Sequence, residues 1–263
     1  MPSISPHTSP HSPPRRTFPL VSTAFIVGAT GYTGHHTTER LARLGVRTVA
    51  HVRPDSSALG AWAARFAAAG AEVDATPWTD DDMARTMARV RPDFVFALLG
   101  TTRARAARDE RATGKAAGYE AVDYGLTALL LRALRAANVH PRFIYLSSMG
   151  ASAASSNPYL SVRGRFEDEL AASGLPYLIV RPSFISGSDR DERRVAERVA
   201  SIATDAVLQV AAALGARTLR DRFATLTGDQ LAAGMLRLAL DAPDGRAVAD
   251  AAAVRDAAQA APQ

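Results

Sequence analysis

Gly28, Gly31 and Gly34 stand in GATGYTG at a GxxGxxG spacing, directly after an apolar run of strand length and at the start of a helical pattern. That placement suits phosphate chemistry. Gly28 permits a tight turn, Gly31 lets backbone approach a pyrophosphate, and Gly34 lets the helix sit close to the strand with its N-terminus facing the anion. Gly28, Thr30, Gly31, Tyr32, Thr33 and Gly34 are therefore candidate cofactor-binding residues. A second apolar run, Thr48–Val52, ends at Arg53 before Pro54. An acid at that point would accept hydrogen bonds from an adenosine ribose and repel a 2′-phosphate, whereas a guanidinium offers the phosphate a fork. The expected cofactor is thus NADP (NADPH) rather than NAD.

A dinucleotide loop needs a parallel sheet behind it, and the chain supplies the pattern. Strand-length runs at Thr23–Val27, Arg47–Val52, Ala71–Ala75, Phe94–Leu99, Phe143–Leu146 and Tyr177–Val180 alternate with helical stretches at Tyr32–Leu44, Ser57–Ala69, Asp80–Val90, Tyr119–Ala137 and Leu160–Ala172. This alternation reads as an α/β, doubly wound parallel sheet covered on both faces. Beyond Pro182 it stops, and helical segments at Arg190–Ala203, Ala206–Leu214 and Asp229–Leu240 are expected to form a small C-terminal helical lobe. The expected organisation is a disordered tail over 1–20, the nucleotide-binding domain over 21–187, a small substrate-side lobe over 188–245 and a flexible C-terminus over 246–263.

Several further motifs stand in order: LGTTR at Leu99–Arg103, VDY at Val122–Tyr124, LSSMGAS at Leu146–Ser152, YLSVRGRFEDEL at Tyr159–Leu170 and SGLPYLIVRPS at Ser173–Ser183. Together with the glycine loop they resemble the atypical short-chain dehydrogenases/reductases of the NAD(P)-binding Rossmann family. The chain is similar in particular to the Tat-interacting-protein subgroup and to NmrA-like proteins. The resemblance implies that Tyr159 is a general acid/base at a substrate carbonyl, that Ser148, beside Ser147, orients the substrate oxygen, and that Arg163 stands where such families carry a lysine that binds the nicotinamide ribose. It also implies cofactor contacts from Leu99, Gly100, Thr101, Tyr159, Arg163, Pro182 and Ser183. The chemistry is consistent: a phenol whose ordinary pKa is about 10 needs a nearby cation to ionise near neutrality. The four-residue spacing puts Tyr159 and Arg163 on one helix face. Two departures stand out. Arg163 is bulkier than lysine and planar, and Pro77 occupies the place where many relatives have an acid that meets the adenine, so that either Asp74 or Asp80 replaces it or the contact is absent.

Composition narrows the alternatives. The 263 residues contain no cysteine, which excludes disulfides, zinc-thiolate sites and a Cys nucleophile. Of 31 basic residues only Lys115 is a lysine, so the net charge of +5 reads as a codon preference for arginine and not as a nucleic-acid surface. No metal-ligand spacing is present among the six histidines. No apolar run reaches the ~18 to 20 residues that span a bilayer, and Val199–Ala216 is interrupted by Asp205 and Gln209. The expected partners are a small-molecule substrate and at most a second copy of the chain, with no nucleic acid and no membrane. A cytoplasmic location is expected, although Arg15 and Arg16 in the Pro-rich tail leave a transit-peptide reading open. The leading expectation is an NADP-dependent oxidoreductase acting on a carbonyl or alcohol. The alternatives are a non-catalytic NADP(H)-binding regulator or scaffold and, less favoured, a sugar-nucleotide epimerase.

Overall fold

The computed structural model describes residues 22–100, 118–183, 185–186, 226–241 and 245–260. Its centre is a seven-stranded sheet in which every pairing is parallel. The strands are β1 (Thr23–Val27), β2 (Arg47–His51), β3 (Glu72–Asp74), β4 (Phe94–Ala97), β5 (Arg142–Leu146), β6 (Tyr177–Arg181) and β9 (Arg246–Asp250), and they lie in the order β3-β2-β1-β4-β5-β6-β9. A separate parallel pair joins β7 (Ile185–Ser186) to β8 (Leu226–Thr227). The strand order reverses between β1 and β4, and that crevice at the C-terminal strand ends is where open α/β sheets receive ligands.

The central strands β1 and β4 read as unbroken apolar runs because both faces are covered. Ala24 and Ile26 of β1 point to one core with Phe96 and Ile144, against α1 (Tyr32–Arg43), α2 (Leu59–Ala68), α6 (Gly228–Asp241) and α7 (Ala251–Gln259). Phe25 and Val27 point to the other with Phe143 and Ile179, against α3 (Asp80–Val90), α4 (Leu126–Ala136) and α5 (Pro158–Ala172). Each buried Phe stabilises the fold by roughly 1.5–3 kcal/mol. The doubly wound α/β architecture is as the alternation requires, with strand ends within a residue or two of the expected ones.

Three differences bear on the sequence reading. Residues expected to form a flexible C-terminus instead make β9 and α7: β9 adds to β6 through Tyr177↔Arg246 to Arg181↔Asp250, and Asp250 caps α7 by accepting from Ala253 N at 2.9 Å. The stretch expected as one helix from Tyr119 to Ala137 begins as a π-helical turn, Tyr119–Gly125, before α4. Helix α5 starts at Pro158, two residues earlier than expected, because Asn157 caps it by accepting from Tyr159 N at 3.0 Å and Leu160 N at 3.4 Å. The expected tail, the expected helices at Arg190–Ala203 and Ala206–Leu214, Thr101, Thr102 and the arginine-rich stretch after them lie outside the described residues, and only 226–241 and Gly245 of the expected lobe are described.

Helix α6 docks on the glycine-loop helix. Arg40 of α1 grips Asp229 with two hydrogen bonds of 2.8 and 2.6 Å, and a Cβ on Gly228 would come within 2.7 Å of the Tyr32 ring. Helix α6 is thereby tied to both ends of α1, through Tyr32 in its first turn and Arg40 in its last.

Candidate active site

The glycine loop separates into one position that opens space and two that remove a clash. Gly28 has φ +77°, and a Cβ there would lie 2.5 Å from the Leu98 carbonyl oxygen, so β1 and β4 can close at the crevice only over glycine. A Cβ on Gly34 would stand 2.1 Å from Gly28 O, which pins the first turn of α1 on the loop. Gly31, exposed and with an ordinary φ of −74°, would bring a Cβ near nothing among the described residues but Gly28 O at 3.1 Å. It is the N-cap of α1, with no side-chain cap bond and no acid in the first turn. The opening amides of α1 therefore face a space that a side chain at 31 would fill, and the arrangement fits a pyrophosphate at the positive end of the helix. Thr30 is exposed beside it, Tyr32 is half-buried, and Thr33 is buried with its carbonyl accepting from Thr37 Oγ1 at 2.9 Å.

On the adenine side, Arg53 is exposed past the end of β2, and among the described residues its side chain makes only a loose 3.4 Å contact to Asp55. Neither acid considered for the Pro77 departure has an idle carboxylate. Asp74 is buried and accepts from Thr76 N, Thr76 Oγ1 and Arg89, and Asp80 is paired with Arg132 at 2.8 Å. Beneath them His51 is buried between the Phe25 and Trp78 rings, and its Nε2–H donates to Thr76 O at 2.8 Å.

Burial pushes the His51 imidazole below its ordinary 6.5, against the opposing pull of Thr76 O and Asp74, and burial does the same to His35. The unfolded chain therefore takes up protons first as pH falls, so stability is complete above about 6.5 and declines below it until the folded imidazoles protonate. Urea midpoints measured from pH 7.5 down to 5.5 should fall, and His51→Gln should flatten the slope. An unchanged slope in His51→Gln would remove His51 as the cause.

At the other end of the crevice, α5 carries Tyr159, Arg163 and Glu167 at successive turns of one face. Gly164 lets that helix touch the loop after β5, since a Cβ there would fall 2.2 Å from the carbonyl carbon of Ser152. Ser161 Oγ donates to Ala153 O at 3.2 Å across the same contact. The loop and helix are thus fixed to each other, which puts Ser148 and Tyr159 on connected supports. Ser147 is buried and donates to Glu167, which Arg181 also grips with two bonds. Among the described residues half-buried Ser148 makes only a 3.4 Å contact to Met149 O, so of the two serines its hydroxyl is the less committed one. Pro182 is buried and its carbonyl accepts from Met149 N at 3.0 Å, with half-buried Ser183 next to it.

Arg163 is buried, and its guanidinium serves as a junction. Nη2 donates to Leu99 O at 2.9 Å and to the carboxylate of buried Asp123, while Nη1 donates to Leu146 O and, at 3.5 Å, to the Tyr145 hydroxyl. Its carbon lies 5.2 Å from the centre of the Tyr159 ring, which meets the Tyr119 ring edge-on at 5.3 Å. Burial opposes the charge on Arg163, but Tyr159, Tyr145 and Asp123 outweigh it and hold the group above the ordinary arginine value. Burial also pushes the Tyr145 phenol up to about 12, despite Arg163 beside it. Tyr159 has no hydrogen-bond partner for its hydroxyl among the described residues. Exposed Gly100 lies against Arg163, a Cβ there meeting Nη2 at 3.2 Å.

Residues 28–217 match the family described as NAD(P)H-binding. The chain belongs to that family. Among relatives, the protein named fmp52-1, mitochondrial, of Aspergillus terreus is 31% identical over 185 residues, covering 66% of this chain and 71% of that one. The fmp52, mitochondrial, protein of Aspergillus fumigatus is 31% identical over 182 residues, covering 65% and 70%. Two solved structures share the fold. UDP-glucose 4-epimerase from Brucella ovis in complex with NAD has a TM-score of 0.59 at 19% identity, covering 88% of this chain and 77% of that one. A short-chain type dehydrogenase/reductase from Mycobacterium ulcerans has a TM-score of 0.56 at 18% identity, covering 89% and 90%.

The resemblance to atypical short-chain dehydrogenases/reductases holds, and a nicotinamide nucleotide is the ligand class of the family. The expected cytoplasmic location does not hold: the relatives just named are called mitochondrial. No helix among the described residues is long and apolar enough to cross a membrane. The sequence reading missed Asp123, Tyr145 and Glu167 as neighbours of the family's lysine position. VDY and the motif on α5 contain two of them, but nothing in their spacing brings the π-helical turn onto α5; Tyr145 reads as ordinary strand core.

Proposed function

We propose that this chain is an NADP(H)-dependent oxidoreductase of the atypical short-chain type, moving a hydride to or from a carbonyl or alcohol of a small organic molecule. The observation that carries the reading is the Tyr159 hydroxyl, without a protein hydrogen-bond partner among the described residues, beside the permanently charged Arg163. When bound, the nicotinamide would supply or accept the hydride. Tyr159 gives its proton to the carbonyl oxygen during reduction, or takes the alcohol proton during oxidation, and Ser148 holds that oxygen by its hydroxyl. Arg163 balances the phenolate that reduction leaves, until solvent returns the proton. The experiment is NADPH consumption across a panel of aldehydes, ketones and quinones; a panel that leaves NADPH unconsumed would reject the enzyme reading. One observation favours the rival, a non-catalytic NADP(H)-binding regulator: both Nη groups of Arg163 are turned to protein acceptors.

NADPH is expected to bind at least about tenfold more tightly than NADH, because exposed Arg53 is available to pair with a 2′-phosphate. A charge-assisted hydrogen-bonding fork is worth ~1.5–3 kcal/mol. Arg53→Ala should erase the preference in a fluorescence titration of both cofactors, and equal affinities in the native protein would return the assignment to NAD.

A further inference from the structure

An arginine replaces the expected lysine at 163, and its surroundings suit a fork and not a point charge. Its two Nη groups reach Asp123, Leu99 O, Leu146 O and Tyr145, acceptors spread over the π-helical turn and the ends of β4 and β5. A lysine has one nitrogen and cannot span them. That leaves Nε, which is buried and has no acceptor among the described residues. A bare buried donor is costly, so it marks an atom for a ligand to satisfy. The crevice is where such a ligand would bind: with a pyrophosphate at α1, the nicotinamide half of a dinucleotide would extend toward the ends of β4 and β5.

Asp123 is placed to set this orientation. It is buried in the π-helical turn, a local irregularity of a kind frequent at functional sites. The turn is fixed to α5 on either side of it: Arg165 binds Glu120 through two bonds of 3.0 Å, and the Tyr124 hydroxyl donates to Glu169 at 3.0 Å. We infer that Asp123 is a positioning residue for the nicotinamide half of the site, holding the Arg163 guanidinium so that its Nε–H is the donor left for the cofactor's nicotinamide ribose. The inference rests on the proposed cofactor reading and goes beyond it in naming the residue that acts through Arg163.

The test compares NADPH with 2′,5′-ADP, which keeps the phosphorylated adenosine half and lacks the nicotinamide half. Both are titrated against the native protein, Asp123→Asn and the double variant Asp123→Asn/Arg163→Gln. Asp123→Asn should weaken NADPH tenfold or more and leave 2′,5′-ADP within twofold. A merely structural role would loosen both ligands together, and a parallel loss would overturn the proposal, as would unchanged NADPH affinity. Should an unpaired buried guanidinium keep Asp123→Asn from folding, the double variant, which retains neither charge, is read by the same two criteria. If the native protein binds neither ligand, the cofactor reading fails and the inference with it. Native binding that Asp123→Asn leaves intact overturns the inference alone.

Discussion

Tyr159→Phe should bind NADPH as the native protein does and turn over carbonyl substrates about 10²–10⁴-fold more slowly, the range that a positioned proton donor contributes. The substitution removes one oxygen and little else. The ring's packing against Tyr119 and its place near the Arg163 guanidinium are contacts of the ring itself, so phenylalanine keeps them. The hydroxyl has no hydrogen bond to another described residue, so its loss strands no protein partner and should cost little stability. An effect confined to kcat, with NADPH affinity and thermal midpoint unchanged, is therefore the signature of a proton-transfer group. Stopped-flow reduction of the best substrate from the panel, with fluorescence titration of NADPH, measures both. Undiminished turnover in Tyr159→Phe would reject the mechanism and move the proton to another group.

What the sequence made legible follows from how strongly each feature is over-determined. Strands β1, β4, β5 and β6 are largely apolar runs with buried centres, and such runs leave little freedom in where a strand starts or stops. Strand β9 is different: only three apolar residues, Ala247–Ala249, stand between Arg246 and Asp250, and of the five only Ala249 is buried, so its place at the sheet edge comes from pairing with β6. The π-helical turn was equally hidden, because a π and an α turn differ by one residue of hydrogen-bond register and the side-chain pattern of Tyr119–Gly125 does not record it. That turn brings Asp123 onto Arg163, so the partner of the most unusual residue in the candidate site could not be read in advance. The choice between Ser147 and Ser148 was legible only through the family resemblance, and the geometry adds the reason: Ser147 is spent on Glu167. That Asp74 is not idle was not legible at all, since it looks available until Thr76 and Arg89 are seen to occupy it.

The glycine loop gives the sharpest separation of binding from folding, because its glycines serve for different reasons. Gly31→Val should leave the far-ultraviolet circular dichroism and the melting temperature near those of the native protein and weaken NADPH at least about a hundredfold, ~2.7 kcal/mol. Position 31 has an ordinary backbone conformation, and a Cβ there is tight only against Gly28 O, so the valine branches project into the space before the first amides of α1. Gly34→Val should fail differently. Its Cβ would be 2.1 Å from Gly28 O and 2.9 Å from the carbonyl carbon of Ala29, both backbone atoms that cannot rotate away. Either the first turn of α1 must lift from β1 or the protein must unfold, and the loss should appear in the thermal melt before any ligand is added. The contrast decides more than either variant alone. Loss of NADPH with an intact melt at 31, beside a collapsed melt at 34, assigns the open side of the loop to the phosphate. A folded Gly31→Val that binds NADPH like the native protein would move the cofactor away from this loop, and with it the geometry that directs a hydride toward Tyr159.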